Sequence, residues 1–186
     1  MIALLLIAAF QDKEHFPLEK GMRWTYAVGD AETEMTIKGK AKVGEIECVK
    51  VETASGAASS TEFFSVDDKG VMLRKIESWQ NETLGEREPE PAIPRLKFGT
   101  KKGESWEWKG AVAGQAQSAK YVNEGEEEIE VPAGKYTCLR IRTVAEAAGG
   151  KYTIDRWFAK GVGMVKTVVK MGEREQKTEL KKFEKP

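Results

Sequence analysis

The hexapeptide GMRWTY at residues 21–26 returns as GESWEW at residues 103–108, so the pattern G-x-x-W-x-aromatic occurs twice. Two further blocks repeat in the same order. ECVKVET at 47–53 matches TCLRIRT at 137–143, and GVMLR at 70–74 matches GMVK at 163–166. The spacing between matched blocks grows along the chain, as loop residues are added. Three blocks in one order predict an internal duplication.

Both halves have the pattern of β-strands. Within residues 135–145, Leu139 and Ile141 fall on one face and Arg140 and Arg142 on the other, the period of a half-buried strand. Glycines at 149–150, 161–163 and 172 predict the turns that follow. No 3.6-residue apolar period is sustained after residue 10. The sequence predicts a mainly β fold, a curved antiparallel meander that closes as a half-barrel or a sandwich, with little helix.

The halves are joined by a proline-rich connection at residues 86–94, which holds three of the six prolines. Proline cannot donate a hydrogen bond to a neighbouring strand, so this stretch is not a central strand. We expect one β-domain over residues 12–186, with related halves at about residues 16–84 and 95–184.

The chain opens with an apolar run, MIALLLIAAF, at residues 1–10. It is too short for a membrane span, which needs about 20 apolar residues, and it matches the core of a secretory signal. No basic residue precedes it, and a buried first strand is the alternative. We predict a signal peptide at residues 1–11 and an exported protein of the periplasm or the extracellular space. The mature chain would then have no transmembrane span.

Composition excludes several classes. Lysine plus arginine and aspartate plus glutamate number 30 each, and the pI is about 6.7, which argues against a nucleic-acid binder. With one histidine, a Cys/His zinc site is not available. Adjacent carboxylates at 67–68 and 126–128 fit a turn and a solvated edge, so we predict no metal and no cofactor. Asp155 beside Arg156 predicts a cross-strand charge pair.

The sequence leaves alternatives open on two questions, whether a disulfide forms and whether the protein is an enzyme. Cys48 and Cys138 would form a disulfide in an exported protein only if their strands come close together. No G-x-S-x-G motif and no phosphate-binding loop is present, so we predict no catalytic residues and no enzymatic activity. The alternative is a hydrolase or isomerase that uses carboxylates in the concavity of the sheet.

Aromatic residues recur at equivalent places in the two halves. Core packing is their simplest role. The functional alternative is an apolar pocket for a lipid or another hydrophobic ligand. Trp157 and Phe158 are neighbours in a strand and so point to opposite faces, which predicts apolar surface on both faces of the sheet. The candidate ligand-binding residues are Trp24, Tyr26, Trp106, Trp108, Trp157 and Phe158.

Two segments carry a resemblance to a known group. FPLEKGMRWTY at 16–26 and VPAGKYTCL at 131–139, the latter followed by an aromatic strand and a glycine turn, resemble signatures of uncharacterised exported bacterial proteins. The resemblance covers about residues 16–183. It implies a curved antiparallel sheet of the half-barrel type seen in lipoprotein carriers, with no assigned activity and no catalytic residues to transfer. Many members of that group look like lipoproteins, whereas this sequence has no cysteine directly after the apolar run to carry a lipid.

The leading hypothesis is therefore a non-enzymatic, exported binding or scaffolding module of the cell envelope. Its partner would be a hydrophobic small molecule or another envelope protein. A carboxylate enzyme is the second hypothesis. The third is a structural module of a larger envelope assembly, which predicts an exposed apolar patch or an unpaired sheet edge.

Overall fold

The computed structural model describes residues 13–80 and 83–186, so the predicted signal peptide lies outside the described residues. Within them the chain forms fourteen β-strands. The first half and the connection contain β1 Arg23–Val28, β2 Ala31–Val43, β3 Ile46–Ser55, β4 Ala58–Val66, β5 Gly70–Gln80, β6 Thr83–Arg87, β7 Pro89–Glu90 and β8 Ile93–Lys97. The second half contains β9 Ser105–Val112, β10 Gln115–Val131, β11 Gly134–Ala147, β12 Gly150–Ala159, β13 Gly163–Met171 and β14 Arg174–Glu184.

The strands form a single antiparallel sheet. Its order is β6-β5-β4-β3-β2-β1-β14-β13-β12-β11-β10-β9-β7, with β8 paired to β5. Each half is a meander, and the pairing of β1 with β14 joins them. The sheet curls until it is nearly a closed barrel, which confirms the mainly β antiparallel prediction. Of the two expected architectures the structure adopts the barrel-like one, because one continuous sheet encloses the core. No helix in the described ranges is long and apolar enough to cross a membrane.

Irregularities of the sheet recur in both halves. The register of β2 against β3 shifts between Ile37 and Gly39, and the register of β10 against β11 shifts between Asn123 and Gly125. The two glycines have φ of 124° and 89°, values that a side chain disfavours. A second pair of β-bulges lies between β4 and β5 and between β12 and β13, at Phe63/Phe64 and Trp157/Phe158. Bulges at matched places bend the two halves alike.

The turn before the first strand of each half also has the same backbone hydrogen bonds. The amide of Gly21 donates to the carbonyl of Ile37 at 3.0 Å, and the amide of Gly103 donates to that of Asn123 at 2.7 Å. The repeat begins earlier than the sequence blocks indicated, because Phe16 precedes Gly21 by the same interval as Phe98 precedes Gly103. Both phenylalanines pack on the apolar core.

The connection between the halves closes the barrel. Residues 83–97, called here the closing segment, form three short strands. Of these, β6 and β8 pair with β5, and β7 pairs with β9. The segment therefore spans the gap between the last strand of the first meander and the first strand of the second. Its prolines lie at the sheet edges, where a missing amide costs least.

Two glycines allow the closing segment to approach so closely. A Cβ atom at Gly110 on β9 would overlap the carbonyl oxygen of Glu90 and lie 2.7 Å from Cζ2 of Trp108. A Cβ atom at Gly70 on β5 would overlap the carbonyl oxygen of Leu96. At both edges of the gap, on β5 and on β9, a glycine without a side chain therefore faces the closing segment.

We predict that Gly110→Ala destabilises the protein by about 2 kcal/mol or more, because the added methyl meets backbone that cannot move aside freely. Gly149→Ala is the matched control, since a Cβ there meets nothing within 4 Å. The free energy of unfolding of both variants, measured in urea, tests this. Equal free energies of unfolding for Gly110→Ala and Gly149→Ala would show that packing of the closing segment on β9 does not require a glycine at position 110.

Candidate ligand cavity in the barrel interior

The barrel interior contains a cavity of about 260 Å³, called here the larger cavity. Side chains of the first half, of β12–β14 and of the segment before β1 line it. Most of the lining is apolar: Phe16, Pro17, Leu18, Trp24, Met35, Ile37, Val51, Phe64, Phe158 and Met164. Glu62, Arg95, Arg156, Thr167 and Thr178 supply the polar part. The cavity is therefore an apolar space with charged groups in one part of its wall.

The segment that precedes β1 covers one side of the larger cavity. The ring of Phe16 lies 5.3 Å from that of Phe64 and 6.1 Å from that of Phe158. The amide of Gly161 donates a hydrogen bond to the carbonyl of Glu14 at 2.8 Å, which ties the segment to the turn before β13. This covering segment belongs to the first half, since it precedes β1, but it is hydrogen-bonded to the second half.

A β-bulge brings Arg95 to the cavity wall. Where β8 pairs with β5, Val71 faces Leu96 and Met72 faces Pro94, so Arg95 is the residue without a partner in the register. Its Nη2 donates to Oε1 of Glu62 at 2.5 Å. Its guanidinium also lies over the ring of Phe64, 5.5 Å from the centroid. Bulges commonly redirect a side chain in this way.

Arg156 on β12 reaches the same region from the opposite half. Its register partners are Ile141 on β11 and Thr167 on β13, which carry no charge. Among the described residues its side chain has no hydrogen-bond or ion-pair partner. Loss of hydration around the guanidinium, with a smaller contribution from the positive charge of Arg95, lowers the pKa of Arg156 to about 10, and the nearby Glu62 carboxylate acts in the opposite direction. The guanidinium therefore stays charged near neutral pH.

A smaller cavity of about 100 Å³ shares Arg95 and Arg156 with the larger one. Its lining is more polar and includes Gln117, Ser118, Tyr121, Thr143 and Tyr152, together with Trp108. The hydroxyl oxygen of Thr143 is buried and makes no hydrogen bond. The two arginines thus lie where an apolar space and a polar space meet.

The two cavities offer little for acid–base chemistry. Within residues 13–80 and 83–186, Glu62 is the one carboxylate that lines them, and it already pairs with Arg95. The same ranges contain no group of three or more His, Cys, Asp or Glu residues able to hold a metal ion. This arrangement is suited to holding a ligand by apolar contact and by the positive charge of arginine.

The six aromatic candidates lie in three kinds of environment: the cavity walls, the buried core away from the cavities, and the outer face of the sheet. Trp24 and Phe158 line the larger cavity, and Trp108 lines the smaller one. Tyr26 and Trp106 are buried but line neither cavity. Trp24 Nε1 donates to the carbonyl of Val162 at 2.6 Å, and the Tyr26 hydroxyl donates to that of Met164 at 2.8 Å. These bonds fix β1 against the start of β13.

Trp157 lies on the outer face, as the alternation with Phe158 predicts. Its Nε1 donates to Oε1 of Glu127 at 2.6 Å. Its ring lies between Arg140, 5.1 Å from the centroid, and Lys166, 5.9 Å away. The first half has the same arrangement, with the ring of Phe63 between Lys50 and Lys75. Such cation–π contacts stabilise the outer face and leave Trp157 away from the cavities.

Sequence reasoning overlooked Arg95 and Arg156. Asp155 does form the predicted cross-strand charge pairs, with Arg140 and Arg142 on the outer face. Arg156 points the other way, into the barrel. The signal was present, because Arg156 shares a face with Phe158, two residues along the strand. No sequence signal marked Arg95, since the bulge that redirects it depends on tertiary pairing.

The disulfide considered between Cys48 and Cys138 is not formed. Both are buried free thiols. They lie on β3 and β11, and β2, β1, β14, β13 and β12 stand between those strands in the sheet. Burial, with a smaller contribution from Glu127, raises the pKa of Cys138 to about 12. Burial also raises the pKa of Cys48.

Comparison with known proteins yields a family of unknown function and two structures of similar fold. Residues 116–171, which run from β10 to the end of β13, match the DUF3108-like family. A crystal structure of a "putative lipoprotein" from Parabacteroides distasonis superposes with a TM-score of 0.54 at 11% identity. A "putative exported protein with YmcC-like fold" from Bacteroides fragilis superposes with a TM-score of 0.53, also at 11% identity.

Each of these superpositions covers 91% of this chain and 98% of the other. At such low identity they establish a shared fold, and nothing about ligands. No curated protein matches the chain.

We predict that neither thiol reacts with iodoacetamide in the folded protein at mildly alkaline pH, because a raised pKa leaves almost no thiolate, the reactive form. In denaturant, without reductant, both cysteines should be alkylated. Mass spectrometry counts the added groups. An unreacted denatured chain would indicate a disulfide, and rapid labelling of the folded chain would show that the thiols are accessible and ionised.

Proposed function

We propose that this protein is an exported, non-enzymatic binding protein of the cell envelope that holds a hydrophobic small molecule inside the barrel. The larger cavity is the observation that carries the proposal. The apolar run at residues 1–10 supports export. So does the similarity of the fold to those of a "putative lipoprotein" and a "putative exported protein".

The size of the larger cavity supports a binding role. Packed protein cores leave few voids larger than a water molecule. Small-molecule sites begin at about 300 Å³, and the larger cavity, at about 260 Å³, is close to that size. It persists although large side chains such as Phe158 and Ile37 pack tightly around it. A core under selection for stability alone would gain by filling this space.

The cover over the larger cavity supports a route for the ligand. The segment at residues 13–20 contains no strand and meets the barrel through Phe16, Pro17 and Leu18. Loop segments of this kind open at lower free-energy cost than paired strands. Displacement of the segment would expose Phe64 and Phe158 and admit an apolar molecule.

A second role is favoured by one observation on the outer surface. Trp79 and Leu84 face each other across β5 and β6, and they are 45% and 41% exposed. Exposed apolar pairs at the end of a hairpin are suited to contact with another protein. An envelope protein that docks there would make this chain a scaffolding module, and it would be compatible with a filled cavity.

We predict that Thr178→Phe, which fills the larger cavity from β14, weakens binding of an apolar fluorophore such as N-phenylnaphthylamine by about tenfold or more. Thr25→Phe is the matched control, because Thr25 is half-buried on β1 and lines neither cavity. Fluorescence titration after removal of resident lipid by solvent gives both affinities. Equal affinities in the two variants would place the fluorophore elsewhere and contradict the proposal.

Native mass spectrometry of protein isolated from its own envelope provides a further prediction. We expect a stoichiometric hydrophobic adduct that solvent extraction removes. A bare chain accompanied by a bound protein would favour the scaffolding role instead. A bare chain alone would argue against both.

A further inference from the structure

The two cavities share two arginines but only one carboxylate among the described residues, so one positive charge is in excess and Arg156 has no direct ion-pair partner. Of the charged side chains that line the two cavities, Arg95 is paired with Glu62, and Arg156 is left over. The carboxylate next to it in sequence, Asp155, points to the outer face and pairs with arginines of β11. Because a charged group held against apolar walls without a direct partner is costly, such groups normally have one. An anion at Arg156 would provide it.

The surroundings of Arg156 distinguish the two ends of such an anion. On one side lies the larger cavity, whose walls are mainly aliphatic and aromatic. On the other lies the smaller cavity, where the buried hydroxyl of Thr143 makes no hydrogen bond and Tyr152 is nearby. A guanidinium offers five N–H donors in a planar fork that matches carboxylate and phosphate oxygens. A charged head group fits at the junction, with an apolar chain in the larger cavity.

Building on the proposed binding role, we propose that the ligand is a single-chain amphiphile with a compact anionic head group. Arg156 binds the head group, a carboxylate or a phosphate ester, and the larger cavity receives the chain. Arg95 keeps its bond to Glu62 and adds positive potential from the closing segment. A volume of about 260 Å³ limits the ligand to one chain of moderate length.

Calorimetric titration of the solvent-extracted protein with decanoate, decyl phosphate, decanol and acetate tests the assignment. We expect the two amphiphilic anions to bind more tightly than decanol by about tenfold or more, the range of a charge-assisted hydrogen bond. Acetate, which lacks the chain, should bind far more weakly than decanoate. The relative affinities of decanoate and decyl phosphate identify the head group.

Variants of Arg156 test whether its positive charge causes the preference for anionic amphiphiles. Arg156→Met should reduce decanoate affinity at least to that of decanol and leave decanol binding within about twofold, since the side chain stays flexible and unbranched but loses its charge. Arg156→Lys should restore part of the preference. Arg23→Met, at an exposed position on β1, removes the same charge and should change nothing. Thermal unfolding without ligand checks that each variant is folded.

The remaining outcomes overturn either this inference or its premise. Decanoate and decanol bound with equal affinity, in the wild type and in Arg156→Met alike, would leave the binding role standing and refute the anionic head group. Acetate bound as tightly as decanoate would refute the chain and indicate a small-anion site. Absence of binding by decanol, decanoate and decyl phosphate would refute the proposed function itself.

Discussion

The structure depends on the closure of one sheet around an apolar interior. Each half alone is a curved meander with one apolar face that must be covered. The pairing of β1 with β14 closes one junction between the halves, and the closing segment closes the other. The second closure requires backbone to lie directly on Gly70 and Gly110. The cavities, the placement of Arg95 and the half-buried position of Arg156 all follow from that closure.

The two halves of the barrel are alike in their backbone framework and differ in their inner faces. Matched bulges, turns and outer cation–π contacts show that the halves bend alike. The inner faces have diverged. The apolar Ile37 occupies in the first half the place that the polar Asn123 occupies in the second, where its amide donates to the carbonyl of Thr100. The same backbone framework thus carries an apolar side chain in one half and a hydrogen-bonded polar one in the other.

Periodicity and repeats predicted the strands, the antiparallel sheet and the opposite directions of Trp157 and Phe158, because these follow from local alternation. They left the half-barrel and the sandwich as alternatives, since closure depends on how the connection packs on Gly70 and Gly110. Of the aromatic candidates, Trp24, Trp108 and Phe158 line the two cavities. Arg95 was missed because the bulge that redirects it depends on tertiary pairing. Arg156 was missed although its alternation with Phe158 puts both residues on one face of the strand.

The neighbourhood of β1 and β14 has a consequence for how the protein is made. The first strand of the sheet pairs with the last, so the barrel has a high contact order and closes late in folding. Met164 and Thr178, which line the larger cavity, come from strands near the end of the chain. During synthesis the interior therefore cannot exist until β14 is in place. Capture of a ligand would be an event of the completed chain, and never of a nascent one.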